Sequence, residues 1–415
     1  MKNHVLFLAA LCLLSIGCSN TQTRTYTRWT PVYIPMDDFR AMVKSDSPRQ
    51  LSNPGKIYVK GNYLFINEKE KGIHIIDNSN PSAPKNLAFI TIPGNGDLAV
   101  KDNILYADSY IDFVALDITD VANIKVMKRI NAIFPNNLVQ HGVKMDTTKG
   151  MAIDWKEETV TEEYDESNPV IFNEWGGGRG GFFPTSADAS SGGNTSSNGR
   201  GGSMARFTIY DKTLYAVSTS DMQIFAIDNP SNPLVWAKLN MGWDIETIFP
   251  YQDKLFIGSQ SGMFIYDNKN QRNPVQLSRF NHARSCDPVV VQGDYAYVTL
   301  RAGSRCGGGQ NQLDILDIKD VTKPVLLKSY AMQEPYGLGI DGPTLFICDG
   351  IAGLKVFNAT DYKDLKVTSF LSTFRTYDII PLGKNAIIVG PDGLYQYDYS
   401  NPSDMKLVST IPIVK

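Results

Sequence analysis

Seven stretches of this chain end an apolar run on an oxygen-bearing side chain. The first is GIHIIDNSNP, residues 72–81, where Asp77, Asn78, Ser79 and Asn80 follow one another. Oxygens so closely spaced could hold a hard cation, and an aspartate so placed could act as a base. The pattern returns at Asp117, Asp228, Asp267, Asp317, Asn358 and Asp398. Asp and Asn readily bond their own backbone and close a strand with a turn. A ligand set repeated at every one of these positions would be the unusual case. The anchors therefore read as punctuation, and chemistry must be sought elsewhere.

Elsewhere the catalytic vocabulary is thin. Beyond the first residues only His74, His141 and His282 remain, on separate segments, and no H-x-x-x-H or Cys/His cluster could hold zinc. A metal site is not expected, nor is a cofactor. No G-x-S-x-G elbow is present. The glycines of residues 176–202 lack a strand before them, a helix after them and a following Lys-Ser/Thr, so they do not read as a phosphate cradle. No catalytic residue is assigned. Carboxylate pairs for glycoside cleavage could be assembled from 43 acids, which makes that signal unspecific.

The spacing of the anchors sets the architecture. Except across one long insertion they recur about every forty residues, the period of a propeller blade. Within each unit a short strand such as KIYVK meets a tight turn such as Gly61-Asn62. A second strand (YLFIN, ILYAD, YAYVTL, AIIVG) follows, and a third ends at the anchor. A fourth follows the Asn/Pro turn (KNLAFITI, PVLLKSY). These are strand and turn signals throughout. The expectation is an all-β fold, a seven-bladed β-propeller of four-stranded antiparallel blades. The blades fall at 54–95, 96–137, 204–243, 244–284, 285–334, 335–375 and 376–415. The YLFIN…GIHIIDNSNP grammar resembles the LVIVD repeat of β-propeller lipoproteins from Bacteroidetes-type bacteria, over nearly all of residues 54–415. That resemblance implies the fold and transfers no catalytic motif.

Strand order sorts the loops. First-to-second and third-to-fourth connections share one end of a meander. Second-to-third loops and blade-to-blade links share the other. Every anchor turn thus lies on one regular face, and the irregular material on the opposite one, where function concentrates. The links place Trp243, His282, Arg284, Tyr336, Arg375 and Tyr377 around the channel mouth, and Arg and aromatics suit binding hot spots. Asp97, Glu246, Asp287 and Asp378 begin innermost strands. They are read either as a ligand site over the pore or, preferably, as partners of Arg206 and nearby amides that close the ring. The insertion 138–203 opens with VKMDTTKGMAIDWKEETVTEEYDE, read as a small hairpin with an acidic tip. Its Gly/Ser-rich remainder reads as a mobile flap bearing Trp175, Phe182 and Phe183.

The chain opens with one Lys before an apolar run from Val5 to Ile16, then Gly17-Cys18. The run is too short to span a bilayer and is laid out as a secretory signal, residues 1–17. It resembles a bacterial lipoprotein signal, which implies lipidation, palmitate included, at Cys18 and stable anchoring. Residues 18–53 are a polar tether and N-terminal extension, with PVYIP as an edge strand or cap and MDDFRAMVKS as one amphipathic helix. The expected location is the outer membrane, facing the periplasm. Cys286 and Cys306 flank one hairpin and are expected to pair; Cys348 reads as a small buried hydrophobe. The formal net charge is −3 with no basic block, which argues against a nucleic-acid partner. The first functional expectation is a non-enzymatic, lipid-anchored envelope scaffold that binds a protein, peptide or glycan at its loop-rich face. The alternative is an envelope polysaccharide hydrolase or lyase with its site at the channel mouth.

Overall fold

A computed structural model describes residues 21–165, 200–242, 244–282, 288–303 and 309–414. They form two compact units, one built from the segments before Asp37 and from Val139 onward through the first part of the insertion, the other from the remainder.

The larger unit is a seven-bladed β-propeller of four-stranded antiparallel sheets. Its innermost strands are Pro54–Lys60, Leu98–Lys101, Phe207–Tyr210, Ile245–Tyr251, Val289–Gln292, Leu338–Asp341 and Asp378–Pro381, for blades 1 to 7 in order. Middle strands are covered on both sides by neighbouring blades, so Ile104–Ser109 is buried at every position and reads as a continuous apolar run. Outer strands such as Leu234–Asn240 are largely open. The core lies between blades: Phe113 of blade 2 stacks on Phe225 of blade 3 with centroids 4.4 Å apart.

The anchors are turn closures. Asp77 Oδ1 accepts Ser79 N–H at 2.9 Å, and Asp117, Asp317, Asn358 and Asp398 do the same two residues on at 2.8–2.9 Å. Several turns also dock their blades. The carbonyl four residues beyond the anchor accepts a hydroxyl from a neighbouring outer strand: Ser409 to Pro81, Ser278 to Val321 (both 2.6 Å) and Tyr330 to Tyr362 (2.9 Å). The glycine that opens many third strands has its own cause. A Cβ on Gly72, whose φ is +148°, would lie 1.9 Å from the Ile90 carbonyl oxygen, so only glycine lets the outer strand close in.

Each blade is contiguous in sequence, so the ring is closed by side chains at the seam between blades 7 and 1. Ile57, Leu64 and Ile66 pack with Ile380, Ile387 and Leu394. Asn78 and Gln396 exchange amide hydrogen bonds at 2.9 and 2.7 Å, and Leu51 pairs in parallel with Ile413.

The helix expected over MDDFRAMVKS is shorter. It covers Met36–Ala41, and Lys44–Asp46 adds a fifth strand to the outside of blade 1. Ser45 Oγ, donating to Val121 O at 2.9 Å, fixes that strand against blade 2.

The smaller unit corrects two expectations. The polar residues up to 25, expected as a tether, lie in a strand, Thr21–Ile34, and the opening of the insertion is not a self-contained hairpin. The two pair as one long antiparallel ribbon with Met151–Asp165. Opposite charges face one another across it, Arg24 against Glu162 and Arg28 against Glu158, and Thr25 faces Thr161, pairs that favour this register. Trp29 stacks on His141 at 4.3 Å, and Trp155 Nε1 donates to Gln140 at 2.9 Å. Among the described residues no helix is long and apolar enough to cross a membrane.

Candidate functional site

On the loop-rich face, acids at strand ends hold the backbone of the links. Asp97 Oδ2 accepts Arg206 N–H at 2.6 Å and Phe207 N–H at 3.2 Å, while Oδ1 accepts Leu98 N–H at 2.7 Å. It thereby ties the start of blade 2 to the start of blade 3. Asp108 accepts Gly96 N–H (2.8 Å), Asp97 N–H (3.0 Å) and the Asn95 amide (2.9 Å). Burial pushes both carboxyls up, Asp108 to about 6, against the pull of those amides. Glu68 does the same work for blade 1, accepting Ser52 N–H at 3.1 Å and Asn53 N–H at 2.6 Å beside His74 Nε2 at 3.1 Å. Burial opposes ionisation there too, but His74, the Ser52 hydroxyl and the amides prevail and hold its pKa at about 2. In blade 6 Asp349 accepts Gln333 and Glu334 N–H at 2.9 and 2.8 Å and pairs with Lys355 at 2.5 Å.

That anchoring fixes a cluster across blades 5, 6 and 7. Tyr336 is held by its N–H to Cys348 O at 2.7 Å and by Thr299 Oγ1 on its carbonyl at 2.6 Å. Thr376, one residue from Arg375 and Tyr377, donates to Gly353 O at 2.8 Å. On this frame the Arg301 guanidinium lies over the Tyr336 ring, 4.1 Å from its centroid. Tyr336 meets Tyr377 edge-on at 5.3 Å and 76°. Arg375 stands 6.0 Å from the Tyr377 ring and pairs with Glu334 at 2.5 Å, and Tyr336 OH donates to Glu334 at 3.1 Å. The result is a half-buried ladder of cation, ring, ring and cation. Such groups bind aromatic, aliphatic and carboxylate-bearing surfaces with little entropic loss.

Of the sequence-stated site residues, the structure thus brings Tyr336, Arg375 and Tyr377 together, and adds Arg301 and Glu334. Glu246 belongs to blade 4 and lies within electrostatic reach of Arg301. Its carboxylate accepts the Gln260 amide at 3.0 Å, and the Arg206 guanidinium reaches its carbonyl oxygen at 3.4 Å. Burial raises its pKa while Gln260, Arg206 and Arg301 lower it. Asp378 is fully buried. It packs against Gly337, where a Cβ would fall 1.8 Å from its carboxylate oxygen. His282 follows the outer strand Val275–Asn281 and acts on Asp314 in the third strand of blade 5. Trp243, Arg284 and Asp287 lie outside the described residues, as do Cys18, the Cys286–Cys306 pairing and the flap residues Trp175, Phe182 and Phe183. Cys348 is a free, buried thiol, as expected. Among the described residues no group of His, Cys, Asp and Glu could hold a metal ion.

Sequence reasoning missed what lies beneath the mouth. Residues 200–206, the end of the Gly/Ser-rich stretch, are bonded to the inner strands of several blades and fill the channel. Gly-Gly-Ser reads as a linker, and recognition through the backbone leaves no side-chain signature.

A profile of the LVIVD repeat matches residues 53–90 and 283–332, blade 1 and most of blade 5. The chain carries LVIVD repeats. No curated protein matches it. Among solved structures, a protein from Lactobacillus plantarum is similar with TM-score 0.54 and 13% identity, covering 87% of this chain and 97% of that one. A functionally unknown protein from Desulfotomaculum acetoxidans gives 0.53 and 13%, covering 85% and 95%. PorZ, described as an essential bacterial surface component of the type-IX secretion system of Porphyromonas gingivalis, gives 0.50 and 10%, covering 89% of this chain and 40% of that one. At these identities the likeness concerns the fold alone. Tyr336, Arg375 and Tyr377 sit in links between blades and Arg301 just after the second strand of blade 5, so the ladder is read on its own chemistry.

Proposed function

We propose that this propeller is a non-enzymatic envelope scaffold, anchored by lipid at Cys18 in the outer membrane on its periplasmic side, and that its loop-rich face binds a protein or peptide partner. The observation that carries the reading is the Arg301–Tyr336–Tyr377–Arg375 ladder. Its components come from three blades; the Tyr336 and Tyr377 backbones are held by Cys348 O, Thr299 Oγ1 and Val389 O, and Asp349 fixes the neighbouring Gln333 and Glu334. Pre-ordered aromatic and Arg side chains are the ones that concentrate binding energy at interfaces. The buried acids of this face support binding over catalysis, since Asp349 beside the ladder and Asp97 and Asp108 in blade 2 are committed to backbone amides. Similarity to a surface component of a secretion machine fits an envelope role at the level of fold.

The test compares the wild type with an Arg301→Ala/Tyr336→Ala/Tyr377→Ala variant. Both are used to capture partners from envelope extracts and to probe a glycan array. Loss of a discrete protein partner in the variant supports the reading. An unchanged partner set overturns the ladder as the site, and array binding in place of a protein makes the ligand a glycan. A variant lacking residues 166–199, which keeps the ladder and the channel segment, separates the ladder from the insertion.

A further inference from the structure

Every inner strand turns one edge toward the channel, and an unpaired edge is a template for another strand. In blade 1 that edge is taken. Val59 and Arg200 exchange both backbone hydrogen bonds, at 2.7 and 2.6 Å, the pairing of a strand added to a sheet. The Arg200 guanidinium reaches Pro381 O of blade 7 at 3.4 Å. Ser203 Oγ accepts Leu338 N–H of blade 6 at 3.2 Å. Met204 O accepts a hydrogen bond from the buried Lys56 ammonium of blade 1. Ala205 O accepts Ile248 N–H of blade 4 at 2.9 Å. Arg206 and Phe207 N–H then end on Asp97 of blade 2, and the chain enters blade 3. Only a segment inside the ring can touch the inner edges of blades 1, 4, 6 and 7 in succession.

The direction of travel follows from the partners. Val59 and Pro381 stand at the anchor-turn ends of their strands, whereas Leu338 and Asp97 stand at the loop-rich ends. Residues 200–206 therefore run up the channel from the regular face to the mouth. Leu138, by contrast, follows residues fixed on the loop-rich face, where Asn136 bonds Ser220 Oγ at 3.0 Å and Asn137 bonds Tyr110 O at 2.7 Å. Leu138 and Arg200 thus lie toward opposite faces of the propeller, and residues 200–206 run back through the ring. Topology does not require this route. Residues 131–138 already form a link on the face where the others run. The occupant suits a narrow space: a Cβ on Gly201 would sit 3.3 Å from Ala205 and 3.4 Å from the Tyr58 ring, and Ser203 is fully buried.

We propose that the channel wall is a binding site for a peptide that pairs as a strand at its start and turns over a Gly-Gly-Ser centre, which this chain fills in cis with residues 200–206, and that the filled site straps the seam between blades 7 and 1. The channel is then closed to passage, ligands reach the ladder only from the loop-rich side, and Arg206 is delivered to its place beside Glu246 by the strap.

Hydrogen exchange on the full chain tests the strap. Ser203→Ala removes the acceptor of the Leu338 amide, and its exchange should rise several-fold while that of Gly337, bonded to Tyr377 O, stays unchanged. Arg200→Pro removes the N–H that Val59 O accepts, leaving the Val59 N–H bond to the residue-200 carbonyl unsupported; exchange at Val59 should rise about tenfold as the pair loosens, whereas Arg200→Ala, which keeps both backbone bonds, should not change it. Unaltered Leu338 exchange, or equal effects of the two Arg200 variants, overturns the proposal. Recognition in trans is read from a chain lacking residues 139–203 offered a labelled synthetic peptide of residues 198–203. Binding by that chain and not by wild type supports the site, and binding by both or by neither overturns it. Should the shortened chain not fold, the Ser203→Ala exchange measurement decides.

Discussion

The two faces of the propeller use the same residue type for different ends. On the regular face Asp77, Asp117 and Asp398 are open to solvent, and their pKa values are lowered by the hydroxyl and N–H of the residue two places on. On the loop-rich face Asp97 and Asp108 are buried, raised by burial, and clasp the amides of links that no ladder satisfies. The difference lies in which backbone groups lack partners. A tight turn leaves one amide that its own Asp can reach, while a link from an outer to an inner strand leaves several, deep between blades, which need a carboxylate from elsewhere in the ring. A buried acid at a channel mouth is therefore no sign of catalysis by itself.

This comparison can be broken by substitution. Asp97→Ala orphans the amides of Arg206 and Phe207 and should cost about 2–4 kcal/mol in urea unfolding; a loss no larger than that at an exposed anchor would erase the distinction. A smaller effect is expected from pH. Asp108 titrates near 6 when folded and lower when unfolded, so between those values the native state holds more protons and stability rises on acidification from pH 7 toward 4.5. Glu68, at about 2 when folded, acts oppositely: its contribution is present above its unfolded pKa and fades as pH falls toward 2. Asp108→Asn should flatten the gain between pH 7 and 4.5, read from thermal melts across pH, and an unchanged profile would contradict the assignment. Asp77→Ala removes a solvent-exposed turn bond and should cost about 1 kcal/mol or less. Arg301→Ala should change stability least, within about 0.5 kcal/mol, and yet weaken partner capture, which separates a binding group from a structural one.

The contrast also explains what was legible in the sequence. The blades were, because each is local: strand, turn and anchor recur within one stretch, and Asp77 could be recognised as a turn residue from its six echoes. Tyr336, Arg375 and Tyr377 were legible as link residues, since departures from a repeat are visible against it. Arg301 was not, because it ends a strand and shows its use only beside Tyr336. The ribbon of Thr21–Ile34 with Met151–Asp165, the fifth strand at Lys44–Asp46 and the strap at 200–206 were not legible either. Each is a pairing between distant segments, and such pairings carry no periodic signal of their own.

The central claim is that the ladder on the loop-rich face meets the partner. A photoreactive phenylalanine analogue placed at Tyr336 and, separately, at Tyr377 tests it in intact cells, with Tyr63, 45% exposed beside a turn on the regular face, as the comparison. The account predicts one discrete adduct shared by the first two positions and absent from the third. An adduct at position 63 alone, or none at 336 and 377, would contradict it.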